Sequence, residues 1–428
     1  MRTEQASPLC GRRVLVAVSG SIAAVKTPLL VSALVKAGAE VRCLVTASGA
    51  ALVSPVALAS LSRHRCYLDA DQWDHAASRP LHIELAEWAE LIIVAPLSAS
   101  SLARWSQGSA DGLLASVLLA MEGPVIAAPA MNTAMWRHLA VQRNWLQIQD
   151  FPGVVPLVPA SGLLACDRVG DGRMADPTLI ELAAASVFSR GFGAPVANCD
   201  WSGKSVLVSA GPTQERIDAA RFLSNRSSGR MGVLLAQAAR FRGGNVHLVH
   251  GPLDLPEAWL EGLQCTAVES AAELGSALQQ ALPSADALVM TAAVADLRRD
   301  AAPQDKFAKQ ELPAALSSGW TEVPDLLAHL SRQRRPGQLV LGFSALTGND
   351  IHLLERAESK RLTKGCDLMM VNPVDRDGQG FGNQPNGGWL LGDGWSKELP
   401  VTDKLSLSHQ LLDALIQATN QAAVSMDS

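Results

Sequence analysis

Short aliphatic and β-branched runs alternate along almost the whole chain with stretches whose apolar residues recur every three or four positions. The first kind reads as strand and the second as amphipathic helix, and their regular alternation predicts parallel sheets with crossover helices. Strands are expected at Val14 to Val18, Val41 to Val45, Leu91 to Ala95 and Val125 to Ala128, and again at Ser205 to Val208, Asn245 to Val249, Ala287 to Met290, Leu339 to Leu341 and Leu368 to Val371. These runs are continuous and do not alternate with polar residues, so each strand is expected to be covered on both faces.

Between the two series lies SRGFGAPVANCDWSG, residues 189 to 203, rich in Gly, Ser and Asn and without periodicity. It sets the expected division: a first domain over 1–190, a linker over 191–203 and a second domain over 204–428. The 428 residues accommodate that division at about 150 residues per domain. Both halves open with a strand and a small-residue turn, VLVAVSGSIAA and VLVSAGPTQE, but the turns differ, which makes them related architectures and not an internal repeat. The fold class expected is α/β with two doubly wound domains.

A hydrophobic share of 48% against 18% charged residues excludes disordered and collagen-like classes. With 36 basic against 41 acidic residues the net charge is −5, too weak for a general nucleic-acid or acidic-membrane binder, although a local phosphate pocket does not show in the total. Seven cysteines (Cys10, Cys43, Cys66, Cys166, Cys199, Cys265, Cys366) are scattered without a CxxC pair, which argues against a disulfide framework or zinc knot and for a reducing cytoplasm. Arg12 and Arg13 ahead of an apolar run imitate a secretion signal, but Gly20 and Ser21 break the run and an amphipathic pattern (Leu29, Leu30, Ala33, Leu34) follows. Residues 112 to 136 are cut by Glu122, Gly123, Pro124 and Asn132 into pieces too short to span a bilayer.

In open parallel sheets, ligands sit at the carboxyl ends of strands, where loops carry free N–H groups and helix N-termini. Three loops of the first half hold that position: Ser19-Gly20-Ser21, Thr46-Ala47-Ser48 and Ala95 to Ser98, with Ser100 and Ser101 beyond. Hydroxyls and amides without an acid fit a phosphate, and equally fit helix caps. His82 in LHIEL, the run Pro129-Ala130-Met131-Asn132 and Cys166 in ACDRVGDGRM stand out beside them. Singly, such residues are a structural His, a cap and a small core hydrophobe. Cys166, however, lies among Asp167, Arg168, Gly170, Asp171, Gly172 and Arg173, a polar glycine-rich stretch foreign to a core. It reads as an exposed thiol on a mobile flap, a candidate proton donor.

SGSIAA at Ser19 to Ala24, His82, PAMN at Pro129 to Asn132 and the cysteine in ACxxxGxGRM together resemble the flavin-containing cysteine decarboxylases, a flavodoxin-like class. The resemblance implies FMN held by Ser19, Gly20, Ser21, Ile22, Thr46, Ser98 and Met131. His82 would assist oxidation of the substrate thiol, Asn132 would orient the substrate carboxylate and Cys166 would return a proton. Asp167 stands where that family usually has Gly; at a position with φ above zero it would cost about 1 kcal/mol, although Asp tolerates the left-handed region better than most residues.

In the second half, Ala210-Gly211-Pro212-Thr213 is followed by Glu215, Asp218 and Arg221 and then by Ser224-Asn225-Arg226-Ser227-Ser228-Gly229 before a helix at Met231. The last loop is an anion site or a capped helix start. Ala292 to Asp296 follow the Ala287 strand; Lys306 and Lys309 come next, and Lys360 and Lys364 share a helical face with Arg361 between them. A carboxylate at a strand end with separated lysines fits a metal–triphosphate site, and charge runs alone fit solvated faces.

GPTQE, SNRSSGRMG, AAVAD, Pro324-Asp325, Gly342-Phe343 and KRxxK, spread from about residue 204 to 415, resemble the CTP-dependent ligase domain with a Rossmann-like fold. The likeness implies that Asn225 serves the acyl-cytidylate, that Lys306 is catalytic, and that CTP is contacted by Ala292, Ala293, Asp296, Lys306, Pro324, Asp325, Leu326, Leu327, Phe343, Lys360 and Lys364, with Mg²⁺ on Asp296. Four departures are visible: Ala308 for a lysine, Leu346 for a glutamate, Leu297 for a tyrosine, and no proline after Glu215.

Taken in this order along one chain, the motifs resemble the bifunctional phosphopantothenoylcysteine decarboxylase/phosphopantothenate–cysteine ligases of bacterial coenzyme A synthesis. That family ligates L-cysteine to 4′-phosphopantothenate through an acyl-cytidylate and then decarboxylates the conjugate to 4′-phosphopantetheine. Its FMN lies between subunits, implying a cytoplasmic homo-oligomer with trimeric decarboxylase and dimeric ligase domains and no nucleic-acid or membrane partner. Two other readings are a flavoprotein decarboxylase with a degenerate ligase half and a non-catalytic regulatory paralogue that binds a partner protein; joint retention of His82, Asn132 and Cys166 speaks against the latter.

Overall fold

The computed structural model describes residues 7–73, 78–163, 167–190, 199–301 and 303–426. It separates into two compact units, one holding the chain to Asn198 with Pro256–Gly262, the other holding Cys199–Leu255 and the chain from Leu263. Of the expected linker, 191–198 lie outside the described residues, and Trp201 is buried inside the second unit.

In the first unit, strands β1 (Arg13–Val18), β2 (Glu40–Val45), β3 (Cys66–Leu68), β4 (Leu91–Leu97), β5 (Val125–Pro129) and β6 (Val154–Pro156) form one parallel sheet in the order β3-β2-β1-β4-β5-β6. Every residue of β4 is buried, and β1 exposes only Arg13, as a sheet covered on both faces requires. Leu15, Ala17, Ile92 and Val94 face one core with Leu85, Leu102, Trp105, Val117 and Trp145 from the helices Leu81–Trp88, Ala99–Gln107, Leu113–Ala120 and Leu139–Gln149. Alternate residues of the same strands turn to the other face. A separate hairpin pairs β7 (Ala160–Leu163) with β8 (Val169–Arg173). Cys166, between these strands, lies outside the described residues.

The second unit runs β9 (Ser205–Ala210), β10 (Gln214–Asp218), β11 (Arg221–Ser224), β12 (Asn245–His250), β13 (Gln264–Ala267), β14 (Ala287–Met290), β15 (Leu297–Arg299), β16 (Trp320–Glu322), β17 (Leu339–Leu346), β18 (Leu368–Pro373), β19 (Asn386–Gly392) and β20 (Trp395–Thr402). Its main sheet has the order β13-β12-β9-β14-β17-β18-β19-β20, parallel through β18 and extended by an antiparallel hairpin. The pairs β10–β11 and β15–β16 stand apart as short hairpins.

In both main sheets the chain starts in the middle, builds outward and then returns to the other side of its first strand. The resulting switch points, β1 beside β4 and β9 beside β14, leave crevices at the carboxyl strand ends.

Candidate active sites

The switch point of the first unit opens into two clefts that share Gly20, Ser98, Ala99 and Met135. One, of 530 Å³, is lined by the hydroxyls of Thr46, Ser48, Ser98, Ser100 and Ser101, by Arg104 paired with Asp111 at 3.1 Å, and by Leu114 and Leu118. Asp69 also lines it, but its carboxylate is engaged, accepting the Ala47 and Leu113 N–H groups at 3.1 Å each. The other, of 630 Å³, is mainly apolar, with Ser21, Ile22, Met131, Asn132, Leu163 and Met174 in its wall.

The loop residues divide between binding and bracing. Ser19 is wholly buried: its hydroxyl donates to the Pro96 carbonyl at 2.7 Å and accepts the Ser98 N–H at 2.7 Å, locking the loops after β1 and β4 together. It lines neither cleft and serves as a brace. Thr46, Ser98 and Asn132 are helix caps, accepting from the N–H groups of Gly49, Ser101 and Met135, and they also line the clefts. The two readings left open in the sequence are therefore compatible at these positions. Gly20 is needed where it stands, since a Cβ there would lie 2.5 Å from that of Ser48.

The β7–β8 hairpin is fastened to the loop after β5. Thr133 Oγ1 donates to the Asp171 carbonyl at 2.7 Å, and the Asp171 carboxylate takes Ser161 Oγ at 2.6 Å and Arg137 Nη2 at 2.9 Å. The Ser161 hydroxyl and the Arg137 guanidinium hold this carboxyl below its ordinary pKa. Asp167 has φ +59°, so the substitution of Asp for Gly falls at a left-handed position. His82 is half-buried on the helix Leu81–Trp88 and lines neither cleft.

In the second unit a 690 Å³ cavity lies at the carboxyl ends of β14, β17 and β18. It gathers Asn225, Ala292, Ala293, Asp296, Pro324, Asp325, Leu326, Leu327, Phe343, Lys360 and Lys364, residues drawn from five separate segments of sequence. The Asn225 amide donates to the Ala293 and Val294 carbonyls at 3.1 Å each. Lys360 Nζ donates to Ser344 Oγ at 3.3 Å, and Lys364 pairs with Asp325 at 3.3 Å. Burial, then the neighbouring Lys364 and Arg356 cations, pull the Lys360 amine below its ordinary pKa. Both charges sit where an anion would relieve the repulsion.

GPTQExxDxxR is the bracing of this site. Ala293 N–H donates to Gly211 at 2.9 Å, and Ala295 N–H donates to Thr213 Oγ1 at 3.0 Å. Glu215 accepts the Ala271 N–H at 2.7 Å, and Asp218 collects Ala220 N–H, Arg221 Nη1 and Phe307 N–H. Lys306 and Lys309 are exposed and do not line the cavity. Neither do Ala308, Leu297 or Leu346, and Leu346 belongs to the core. Among the described residues no cluster of three metal-ligating side chains occurs, so Mg²⁺ on Asp296 would need oxygens from a ligand.

Sequence reasoning passed over Arg230, Ser344, Asn372, Gly380, Phe381, Gly382, Asn386 and Lys404, all of which line this cavity. The available signal was the glycine-rich run DGQGFGNQPNGG and a lysine directly after Asp403 at a helix start.

Two doubly wound units with clefts at the carboxyl ends of their strands make a two-domain α/β protein of the class that binds ligands there. The family model described as "Flavoprotein" matches residues 2–186, and that described as "DNA/pantothenate metabolism flavoprotein C-terminal domain" matches 201–419. The coenzyme A biosynthesis bifunctional protein CoaBC of Bacillus subtilis is 37% identical over 416 residues, 96% of this chain and 98% of the relative. The protein of the same name in Escherichia coli K12 is 36% identical over 411 residues (95% and 97%), and that of Mycobacterium bovis is 36% identical over 414 (95% and 96%). The chain belongs to this family of bifunctional coenzyme A biosynthesis enzymes, which combine a decarboxylase and a ligase activity. Among the described residues no helix is long and apolar enough to cross a membrane.

Proposed function

We propose that the second unit joins the amine of L-cysteine to the carboxylate of 4′-phosphopantothenate at the expense of CTP, and that the first unit then decarboxylates the conjugate to 4′-phosphopantetheine with FMN. The observation that carries the ligase reading is the single cavity that collects Asn225, Asp296, Lys360 and Lys364. A carboxylate is a poor acyl donor at neutral pH, so it is activated first: the substrate carboxylate attacks the α-phosphate, pyrophosphate leaves, and the cysteine amine displaces CMP from the acyl-cytidylate. Lys360 and Lys364 neutralise phosphate charge, Asp296 would hold Mg²⁺, which would supply further positive charge to the triphosphate, and Asn225, fixed to the Ala292–Asp296 loop, orients the acyl-cytidylate. Lys306 joins the phosphates by movement of its exposed loop.

In the first unit the hydroxyl-lined cleft suits the phosphate and ribityl chain of FMN, and Ile22, Met131 and Met135 offer an apolar wall to its ring. FMN supplies a two-electron acceptor and donor for the sulfur-bearing carbon, making a thioaldehyde whose C=S group takes up the electrons as CO₂ leaves. Asn132 uses Oδ1 for its cap, which leaves its Nδ2 hydrogens for the substrate carboxylate. His82 assists thiol oxidation and Cys166 protonates the enethiol. His82 reaches the cleft of a second copy in a cytoplasmic homo-oligomer, trimeric through the first unit and dimeric through the second. The test is an assay of the full chain with CTP, L-cysteine and 4′-phosphopantothenate, reading pyrophosphate and CO₂. Both are expected, and pyrophosphate that forms without dependence on 4′-phosphopantothenate overturns the ligase reading.

A further inference from the structure

Lys404 is the first residue of the helix Lys404–Met426, and its place is fixed by Asp403, whose carboxylate accepts the Leu405 and Ser406 N–H groups at 3.0 and 2.9 Å. The side chain is buried, with only 7% of the residue exposed. Its ammonium donates to the carbonyls of Gly380, at 2.8 Å, Gly382, at 3.0 Å, and Gln384. An ammonium has three N–H donors and no acceptor, so these three carbonyls use all of them. No donor is left for a ligand.

The loop that Lys404 holds is one wall of the second unit's cavity, to which Gly380, Phe381, Gly382 and Asn386 contribute. Within the loop Gly380 N–H donates to Pro385 at 3.0 Å. From the other side, Arg230, the first residue of the helix Arg230–Phe241, donates to Asn383 Oδ1 at 2.6 Å. The loop therefore spans two helix starts, one of them beside Ser227 and Ser228 in the cavity lining. Burial of an ammonium is costly and tolerated where it organises its surroundings.

We propose that Lys404 is a positioning residue for the ligase reaction: by binding three carbonyls it holds the Gly380–Asn386 loop as a preformed wall over the nucleotide. The inference rests on the reading of this cavity as the CTP site. Without the ammonium, three inward carbonyls lose their partners and the loop opens. The loss then appears as weaker nucleotide binding and not as a slower chemical step.

The test compares the full chain with Lys404→Met. The variant is expected to raise KM for CTP about tenfold, to leave kcat and KM for cysteine within about twofold, and to keep the decarboxylation of preformed conjugate unchanged. Backbone hydrogen exchange at 380–386, read without nucleotide, is expected to quicken in the variant. Unchanged exchange there overturns the inference whatever the cavity binds, and so does an equal loss in every kinetic constant. If the Met variant does not fold, the wild-type chain decides. CTP is expected to slow exchange at 380–386, and CTP turnover without such protection overturns the proposal. A wild-type chain that does not consume CTP refutes the nucleotide reading instead, and the exchange comparison still judges Lys404.

Discussion

Gly172 and Met131 meet backbone to backbone: the Met131 N–H donates to the Gly172 carbonyl at 3.0 Å, and a Cβ on Gly172 would stand 2.1 Å from the Met131 carbonyl oxygen. Gly172 also has φ +130°. The β7–β8 hairpin is thereby seated on the loop that carries Asn132. Gly172→Ala forces the two apart, and decarboxylation of the preformed conjugate is expected to fall by about a hundredfold, as for a misplaced substrate contact. Cysteine-dependent pyrophosphate release in the same preparation should stay within about twofold.

Asp167 makes a graded test of the hairpin. At φ +59°, Gly removes a cost of about 1 kcal/mol and a β-branched residue increases it. Asp167→Gly is expected to keep full decarboxylase activity, while Asp167→Val loses about tenfold in kcat/KM. Equal rates for the two variants would dissociate this backbone from the flap's action.

Lys360 lines the second unit's cavity and, among the described residues, has no carboxylate within ion-pair distance, unlike Lys364 with Asp325. Lys360→Met is expected to raise KM for CTP by about ten- to a hundredfold, the worth of one charged hydrogen bond. A steady-state titration of CTP at saturating cysteine reads it, and an unchanged KM would remove Lys360 from the site.

The strands at both switch points were legible because a parallel strand covered on both faces has to be a continuous apolar run; β1, β4, β9 and β14 all are. β3 and β6 escaped because each has three residues, and β20 because most of its length is exposed and polar. The motif residues were legible as a set, but their division into walls and braces was not. Ser19 and Ser98 look alike in sequence, yet one is sealed behind the loops and the other faces the clefts. Lys404 was invisible because its partners are carbonyls, which every residue carries.

Lys404 also sets a pH dependence. Burial foremost, and then the Arg230 cation, bring its pKa from 10.5 to about 8. Arg230 in turn feels the Asp254 carboxylate. A neutral amine has two donors and leaves one loop carbonyl unpaired, so KM for CTP is expected to rise as pH climbs from 7 to 9. Because the folded pKa lies below the unfolded one, this group binds fewer protons when folded, and its contribution to stability grows with pH between about 8 and 10.5. Lys360, whose amine is also held below its ordinary pKa, adds to the same rise, so Lys404→Met run beside the wild type reads the share that belongs to the loop. A flat KM from pH 7 to 9 would contradict it.

The most direct measurement mixes two single-site variants. Lys360→Met is expected to release CO₂ from preformed conjugate at the wild-type rate while making little pyrophosphate, and Cys166→Ser to make cysteine-dependent pyrophosphate at the wild-type rate while stalling after CO₂ loss. Together, supplied with CTP at a concentration that saturates only the second, they should complete 4′-phosphopantetheine synthesis. If either substitution abolishes both half-reactions, or the mixture makes no product, the two chemistries do not reside in separate sites of the two units.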